Sequence, residues 1–122
     1  MNRCRLLLLA ALLAAGSASA LDRGDAQLEL AQAINAVRSA ERDDAARYAV
    51  AELDEAHAML ASAQRAADDR AWTDAATFSE RAKVAGDLAS ARSRQQRAEA
   101  ATAEIERSLD MLKTQFSSGG VR

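Results

Sequence analysis

Apolar residues recur at helical spacing in two separate stripes in the first half of the chain. The first stripe follows Asp25, which is placed to cap a helix N-terminus. Its members are Leu28, Leu30, Ala33, Ile34 and Val37. The second stripe consists of Ala49, Leu53, Ala56, Leu60, Ala63 and Ala67. At about 100° per residue the stripe centres differ by roughly 110°, so one straight helix would present them to different sides. We therefore expect a bend or break near 42–47, with Asp44 as a second cap. One continuous helix over 26–67 is the alternative.

A longer pattern predicts one extended C-terminal helix over residues 72–116. The pair Asp68-Asp69 is expected to end the preceding helix and to cap the next one. A short stripe then holds Trp72, Ala75, Ser79 and Ala82. From there, steps of four and three connect Val84, Leu88, Ala91, Gln95, Ala98, Thr102, Ile105, Leu109, Leu112 and Phe116. This spacing is that of a coiled-coil seam, and the helix would be roughly 65 Å long. Trp72 is expected to lie between two antiparallel helices beside the short turn.

Together these elements predict an all-α fold, namely an antiparallel helical hairpin. With its first arm bent or broken, the hairpin consists of three helices. Residues 1–20 are assigned to a signal peptide, 21–116 to one helical domain and 117–122 to a flexible tail. The composition agrees, since the chain has 32 alanines, no proline and 5 glycines. Alanine buries little area, so the core is expected to be small and the monomer marginally stable. Strand-based folds are excluded and a pocket enzyme is disfavoured.

The N-terminal segment has the three parts of a secretory signal peptide. Arg3 and Arg5 precede an apolar run over 6–15, and Ala18-Ser19-Ala20 forms a small-x-small cleavage site. Cleavage after Ala20 and a periplasmic location are predicted. The apolar run is about ten residues, shorter than the roughly 20 needed to cross a bilayer, so no span should remain after cleavage. A buried N-terminal helix is the alternative.

Cleavage changes the inventory of cysteine and charge. Cys4 precedes the apolar run, which is the wrong position for a lipoprotein, and its removal leaves no disulfide. Loss of two arginines leaves 14 basic against 18 acidic residues, a net charge of −4. An exported acidic chain is a poor candidate for binding nucleic acid.

No catalytic, cofactor or metal site is predicted. Asp54 and His57 share a helix face, but His57 is the only histidine, and a transition-metal site needs further ligands. A solvated His57 is the simpler interpretation. The basic run of Arg92, Arg94 and Arg97 suits an anionic envelope component. A solvated helix face is the favoured interpretation, because Glu99, Glu104 and Glu106 follow closely.

Several segments carry a resemblance to a known group of bacterial proteins. They are Ala33-Ile34 with Val37 and Ala40-Glu41, Tyr48 to Leu53, Asp69 to Ala75, and the alanines at 82, 85 and 89. Over about residues 30–92 the chain resembles small envelope proteins with an uncharacterised helical domain, found alone or ahead of an OmpA-like peptidoglycan-binding domain. Val50 replaces a proline that is usual there, and Trp72 stands near a usual Gly-Asp-Tyr. The resemblance implies a periplasmic location and adds no catalytic residue.

The function predicted from these features is non-enzymatic. The interaction residues are expected to be Leu88, Ile105, Leu109, Leu112 and Phe116. They would contact a second copy of the chain or another envelope protein, giving a structural or adaptor role. The alternative for this surface is that the first stripe, from Leu28 to Val37, covers it within the chain. The alternative function is binding of a ligand or stress protein in a groove around Trp72.

Overall fold

The computed structural model describes residues 23–120, which fold into four helices without a strand. The first, α1, covers residues 23–42. It is followed by α2 (Ala45–Tyr48), α3 (Val50–Asp68) and α4 (Trp72–Gly119). The all-α fold and the break in the first arm are confirmed. The signal peptide predicted over 1–20, including Cys4, lies outside the described residues, as do residues 121–122 of the predicted tail.

The three longer helices run up, down and up. Helix α3 is antiparallel to α4, since Glu52 near its start pairs with Arg92 at 3.3 Å. Helix α1 runs parallel to α4, because Arg23 lies over the Trp72 ring and Gln32 accepts a hydrogen bond from Lys83 at 2.9 Å. The hairpin prediction is thus realised as a three-helix bundle with α1 and α3 beside the first half of α4.

Small side chains fill the interface of this bundle. On α4 the buried residues include Ala75, Ser79, Ala82, Gly86, Ala89 and Ser93. The central cluster contains Val37 and Leu53 among alanines, with Leu60 packed against it. Gly86 allows the closest approach, because a Cβ atom added there would lie 2.9 Å from the backbone carbonyl carbon of Ala36. Helix spacing depends on the side chains at the contact, so this composition allows the backbones of α1 and α4 to approach closely at Gly86.

The two predicted stripes of the first arm are only partly correct. Ala49, Leu53, Ala56 and Ala63 are buried as expected. On α1 the buried side is made by Ala26, Ala33, Ala36, Val37 and Ala40. Leu28 is 59% exposed, which corrects its assignment to the core. Small residues at 33, 36 and 40 face the bundle because only they fit so near to the α4 backbone.

The aspartate pairs lie where helices end, and their side chains do not cap the next helices. Asp44 and Arg70 adopt left-handed backbone conformations, with φ of 63° and 59°. After α3, the Ala71 amide donates to the Ala66 carbonyl and the Arg70 amide to the Ala67 carbonyl, which is a Schellman motif. Asp44 occupies the N-cap position of α2 as predicted, but its side chain makes no capping hydrogen bond. The cap predicted at Asp68-Asp69 is wrong, because Ala71 occupies the N-cap position of α4.

Two other predicted helix ends also shift. Asp25 lies inside α1 rather than at its cap, since helical structure is already present at residue 23. At the other end α4 continues three residues past Phe116 to Gly119. The Ser117 hydroxyl donates to the Lys113 carbonyl at 3.0 Å, and Ser118 donates to Gln115 at 3.1 Å, which satisfies carbonyls of this last turn.

Candidate interaction surface

Helix α4 carries two different stripes on nearly opposite faces. The stripe of small residues from Ala75 to Ser93 is buried against α1 and α3. The predicted apolar seam starts at Val84, two positions after Ala82 in the buried stripe. Two residues correspond to about 200° of rotation, so the seam points roughly 160° away from the bundle interface. Leu88, at 52% exposure, therefore lies on the outside of the bundle.

The second half of α4 leaves the bundle altogether. Ser93 is the last buried residue of the helix, and every residue from Arg94 to Gly120 is exposed. We call residues 95–119 the projecting segment; at 1.5 Å per residue it is about 37 Å long. Beyond Arg97, which pairs with Asp44 at the base of the segment, its hydrogen bonds and ion pairs lie within the segment itself, including Gln95 to Glu99 at 2.8 Å and Arg107 to Glu104 at 2.9 Å. Such neighbouring pairs support a helix that has no packing partner.

Four large apolar side chains form one row on this segment. We call Ile105, Leu109, Leu112 and Phe116 the distal seam; their exposed fractions are 61%, 50%, 48% and 79%. Their spacing of four, three and four residues keeps them on one helix face. Met111, at 61% exposure, is also apolar but lies off this row. An exposed apolar row of this kind on a helix is a candidate contact surface.

The structure contradicts the alternative in which α1 covers the distal seam within the chain. An antiparallel path would have placed Leu30 and its neighbours opposite residues near 110. Because α1 instead runs parallel to α4, Leu30 lies beside Ala67 and Trp72 at the other end of the bundle. Leu88 is separated from Ile105 by about 25 Å along the helix and by about 100° around it, so Leu88 is not part of the distal seam. Leu88 lines a shallow groove together with Met59 and Val84.

Three arginines fasten α4 to the bundle where the projecting segment begins. Arg92 pairs with Glu52 at 3.3 Å, Arg94 with Asp43 at 3.5 Å, and Arg97 with Asp44 at 3.9 Å. The basic run thus has acidic partners on α3 and on the α1–α2 turn. Sequence reasoning missed these pairs because the partners are about 40 to 50 positions away.

Hydrogen bonds hold the same turn against α4. Ser90 donates to the Asp43 carboxylate, and Ser93 donates to the Asp43 carbonyl. The guanidinium of Arg94 in turn donates to the Ser90 hydroxyl at 2.9 Å. This cluster marks the upper end of the bundle and fixes the point from which the projecting segment extends.

Trp72 and His57, the other candidates, lie at separate places. Trp72 is partly buried at the opposite end of the bundle, where Arg23 stacks 5.5 Å from the ring centroid. A groove of about 440 Å³ beside it is lined by Asp25, Glu29 and Lys83 among others. The His57 Nε2 atom lies 2.9 Å from Glu41 Oε1, so His57 joins α3 to α1. Within residues 23–120 no three metal-binding side chains converge.

No helix within the described part of the chain has both the length and the apolar content required to cross a bilayer.

The search of curated proteins and the search of solved structures returned no match. A family model described as a domain of unknown function, DUF4398, matches residues 28–105. This match spans the bundle and ends at Ile105, so three of the four distal-seam residues follow it. Since it covers more than half of the chain, the protein belongs to the DUF4398 family.

Proposed function

We propose that this protein is a non-enzymatic structural or adaptor protein of the bacterial periplasm that acts through helix–helix contacts of α4. The observation that carries the proposal is the exposed distal seam on a helix that extends about 37 Å beyond its bundle. The predicted signal peptide supports the periplasmic location. The resemblance to proteins in which the same kind of domain precedes an OmpA-like domain supports a role at the cell envelope.

Burial of the distal seam would supply the free energy of such a contact. Complete burial of one large apolar side chain contributes about 1.5–3 kcal/mol. The four residues have between 48% and 79% of their surface exposed, and this exposed part is what a partner can bury. The segment is a preformed helix in the structure, so little of this gain is spent on ordering the backbone. A partner helix with a matching apolar row is the occupant that fits the spacing.

Photo-crosslinking in the living cell tests this function. A crosslinking amino acid replaces Leu109, and the products are identified by mass spectrometry; the matched control carries it at Ala103, which faces away from the seam. A product from position 109 that contains this chain or an identified envelope protein, and is absent from position 103, supports the proposal. Absence of any product from position 109 contradicts it.

The grooves around Trp72 favour a second function, binding of an envelope ligand. Two grooves border this side chain, and their linings include charged residues from α1 and α4. Trp72 is the only tryptophan, so its fluorescence reports on this place alone. A shift of the emission on titration with envelope lipids, cell-wall fragments or metal ions supports this function, and an unchanged emission with all three removes it.

A further inference from the structure

We infer that the occupant of the distal seam is a second copy of this chain, bound antiparallel along the projecting segment. This inference rests on the proposed function, because it names the partner of the same surface. In the register we assign, Leu109 faces Leu112 of the second copy, and Ile105 faces its Phe116. The two-fold axis then passes between Leu109 and Leu112, and each contact occurs twice.

The lengths of the helices fit this register. With the axis at that point, Thr102 of one copy lies opposite Gly119 of the other, so the overlap covers residues 102–119. The last buried residue of the bundle is Ser93, which is about 13 Å before the overlap begins. The two bundles therefore lie at opposite ends of the paired helices and do not collide. Gln95, the polar residue that interrupts the seam, also lies outside the overlap.

Charge complementarity selects the direction of pairing. Glu106 and Lys113 are the charged residues that flank the distal seam directly within 102–119. In the antiparallel register Glu106 of each copy faces Lys113 of the other, giving two attractive pairs. In a parallel, in-register pair they would face Ala101 and Ser108 instead and find no opposite charge. The projecting segment has three basic and four acidic residues, so two copies do not repel strongly.

Sedimentation equilibrium of the full protein measures the association. We expect a dimer at micromolar concentration. Leu109→Asp introduces a charge into the apolar interface and should weaken the dimer about 100-fold or more. Met111→Asp is the matched control, since it adds the same charge to another exposed apolar position that lies off the seam. A monomeric wild-type protein, or equal effects of the two variants, overturns the inference.

Charge exchange tests the direction. Lys113→Glu places two glutamates opposite each other at both ends of the antiparallel pair and should weaken the dimer about tenfold. Adding Glu106→Lys to the same chain reverses both charges and should restore the affinity. In a parallel dimer Lys113→Glu should have little effect, and that result overturns the antiparallel register.

Disulfide trapping provides an independent readout of the register. In a Cys4→Ser background, Ser108→Cys and Gln115→Cys place thiols that face each other across the antiparallel pair. Two copies of Ser108→Cys would be about 7.5 Å apart along the axis alone, too far for a bond. We expect oxidation to crosslink the mixture of the two variants and neither variant alone. Crosslinking of each variant only with itself refutes the register.

These experiments separate the inference from the function on which it rests. A protein that is monomeric in solution, but is crosslinked from position 109 to a different envelope protein, overturns self-association and leaves the proposed function intact. A protein without any crosslinked product from position 109 removes the proposed function.

Discussion

Replacement of Gly86 by alanine tests the close packing of α1 against α4. Alanine is favoured over glycine by about 1 kcal/mol inside a helix, so helix propensity alone predicts a more stable protein. The structure predicts the opposite, because the new Cβ would lie 2.9 Å from the Ala36 carbonyl carbon and 3.0 Å from the Val37 amide nitrogen. These are backbone atoms and cannot rotate away as a side chain would.

The size of the loss follows from these two opposing effects. Overpacking a well-packed interface typically costs about 1–3 kcal/mol, because side chains and backbone must shift to make room. After subtraction of the helix-propensity gain, Gly86→Ala should lower the free energy of unfolding by about 1 kcal/mol. For a domain of this size that corresponds to a decrease in Tm of about 4–8 °C. Gly86→Val adds two further methyl groups at the same place and should cause a larger loss.

Urea denaturation followed by far-ultraviolet circular dichroism measures the change, at one fixed protein concentration because association would add to the apparent stability. Gly24→Ala is the matched control, since it makes the same substitution in helical backbone where nothing lies within 4 Å of the new atom. We expect this control to be neutral or stabilising. If Gly86→Ala is as stabilising as Gly24→Ala, the close approach of α1 and α4 at this position is refuted.

Three further substitutions follow from local features. Arg70→Gly should raise the free energy of unfolding by about 0.5–1 kcal/mol in urea denaturation, because glycine accepts the left-handed conformation of this turn; a loss of stability would show that the Arg70 side chain matters more. The buried Ser79 hydroxyl has no hydrogen-bond partner among residues 23–120, so Ser79→Ala should be neutral or stabilising by up to about 1 kcal/mol in the same assay. Asp43→Ala removes the acceptor of Ser90 and Arg94 and should cost about 1–2 kcal/mol, whereas an unchanged midpoint would mean that this cluster does not hold the α1–α2 turn.

Helix periodicity was sufficient to predict the all-α fold and its three main helices, but not the bundle that they form. The phase difference between the stripes around Val37 and Leu53 predicted the break, and both residues are buried in one cluster. The absence of proline and the continuous spacing predicted the long α4. Periodicity could not predict the direction of α1 relative to α4, because that depends on contacts between distant residues such as Gln32 and Lys83.

The distal seam was predictable as a pattern but not as an exposed surface. Ile105, Leu109, Leu112 and Phe116 share a face in any α-helix, so the sequence is enough to define the row. Whether the row is covered depends on where the bundle ends, and that is set at Ser93 by the Asp43 cluster. A second pattern in the sequence, the small residues from Ala75 to Ser93, indicates which face of α4 is used for the bundle.

The aspartate pairs show a limit of reading caps from residue type. Aspartate is favoured at helix N-termini, yet it also tolerates a left-handed backbone better than most residues. Asp44 adopts the left-handed backbone conformation. At the next turn Arg70 takes the equivalent position, although arginine has no preference for that conformation. The free-energy cost of the left-handed conformation at Arg70 is tolerated because the helices on both sides hold the turn in place.

The continuity of α4 through residues 94–101 links the orientation of the distal seam to the orientation of the bundle. Insertion of one residue there would move the seam by only 1.5 Å but would rotate it by about 100° relative to α1 and α3. Insertion of seven residues would lengthen the helix by about 10.5 Å and leave the seam within about 20° of its present direction. Changes of length in this part of the chain are therefore constrained by rotation far more than by distance, and those that preserve the contact come in steps of about seven residues.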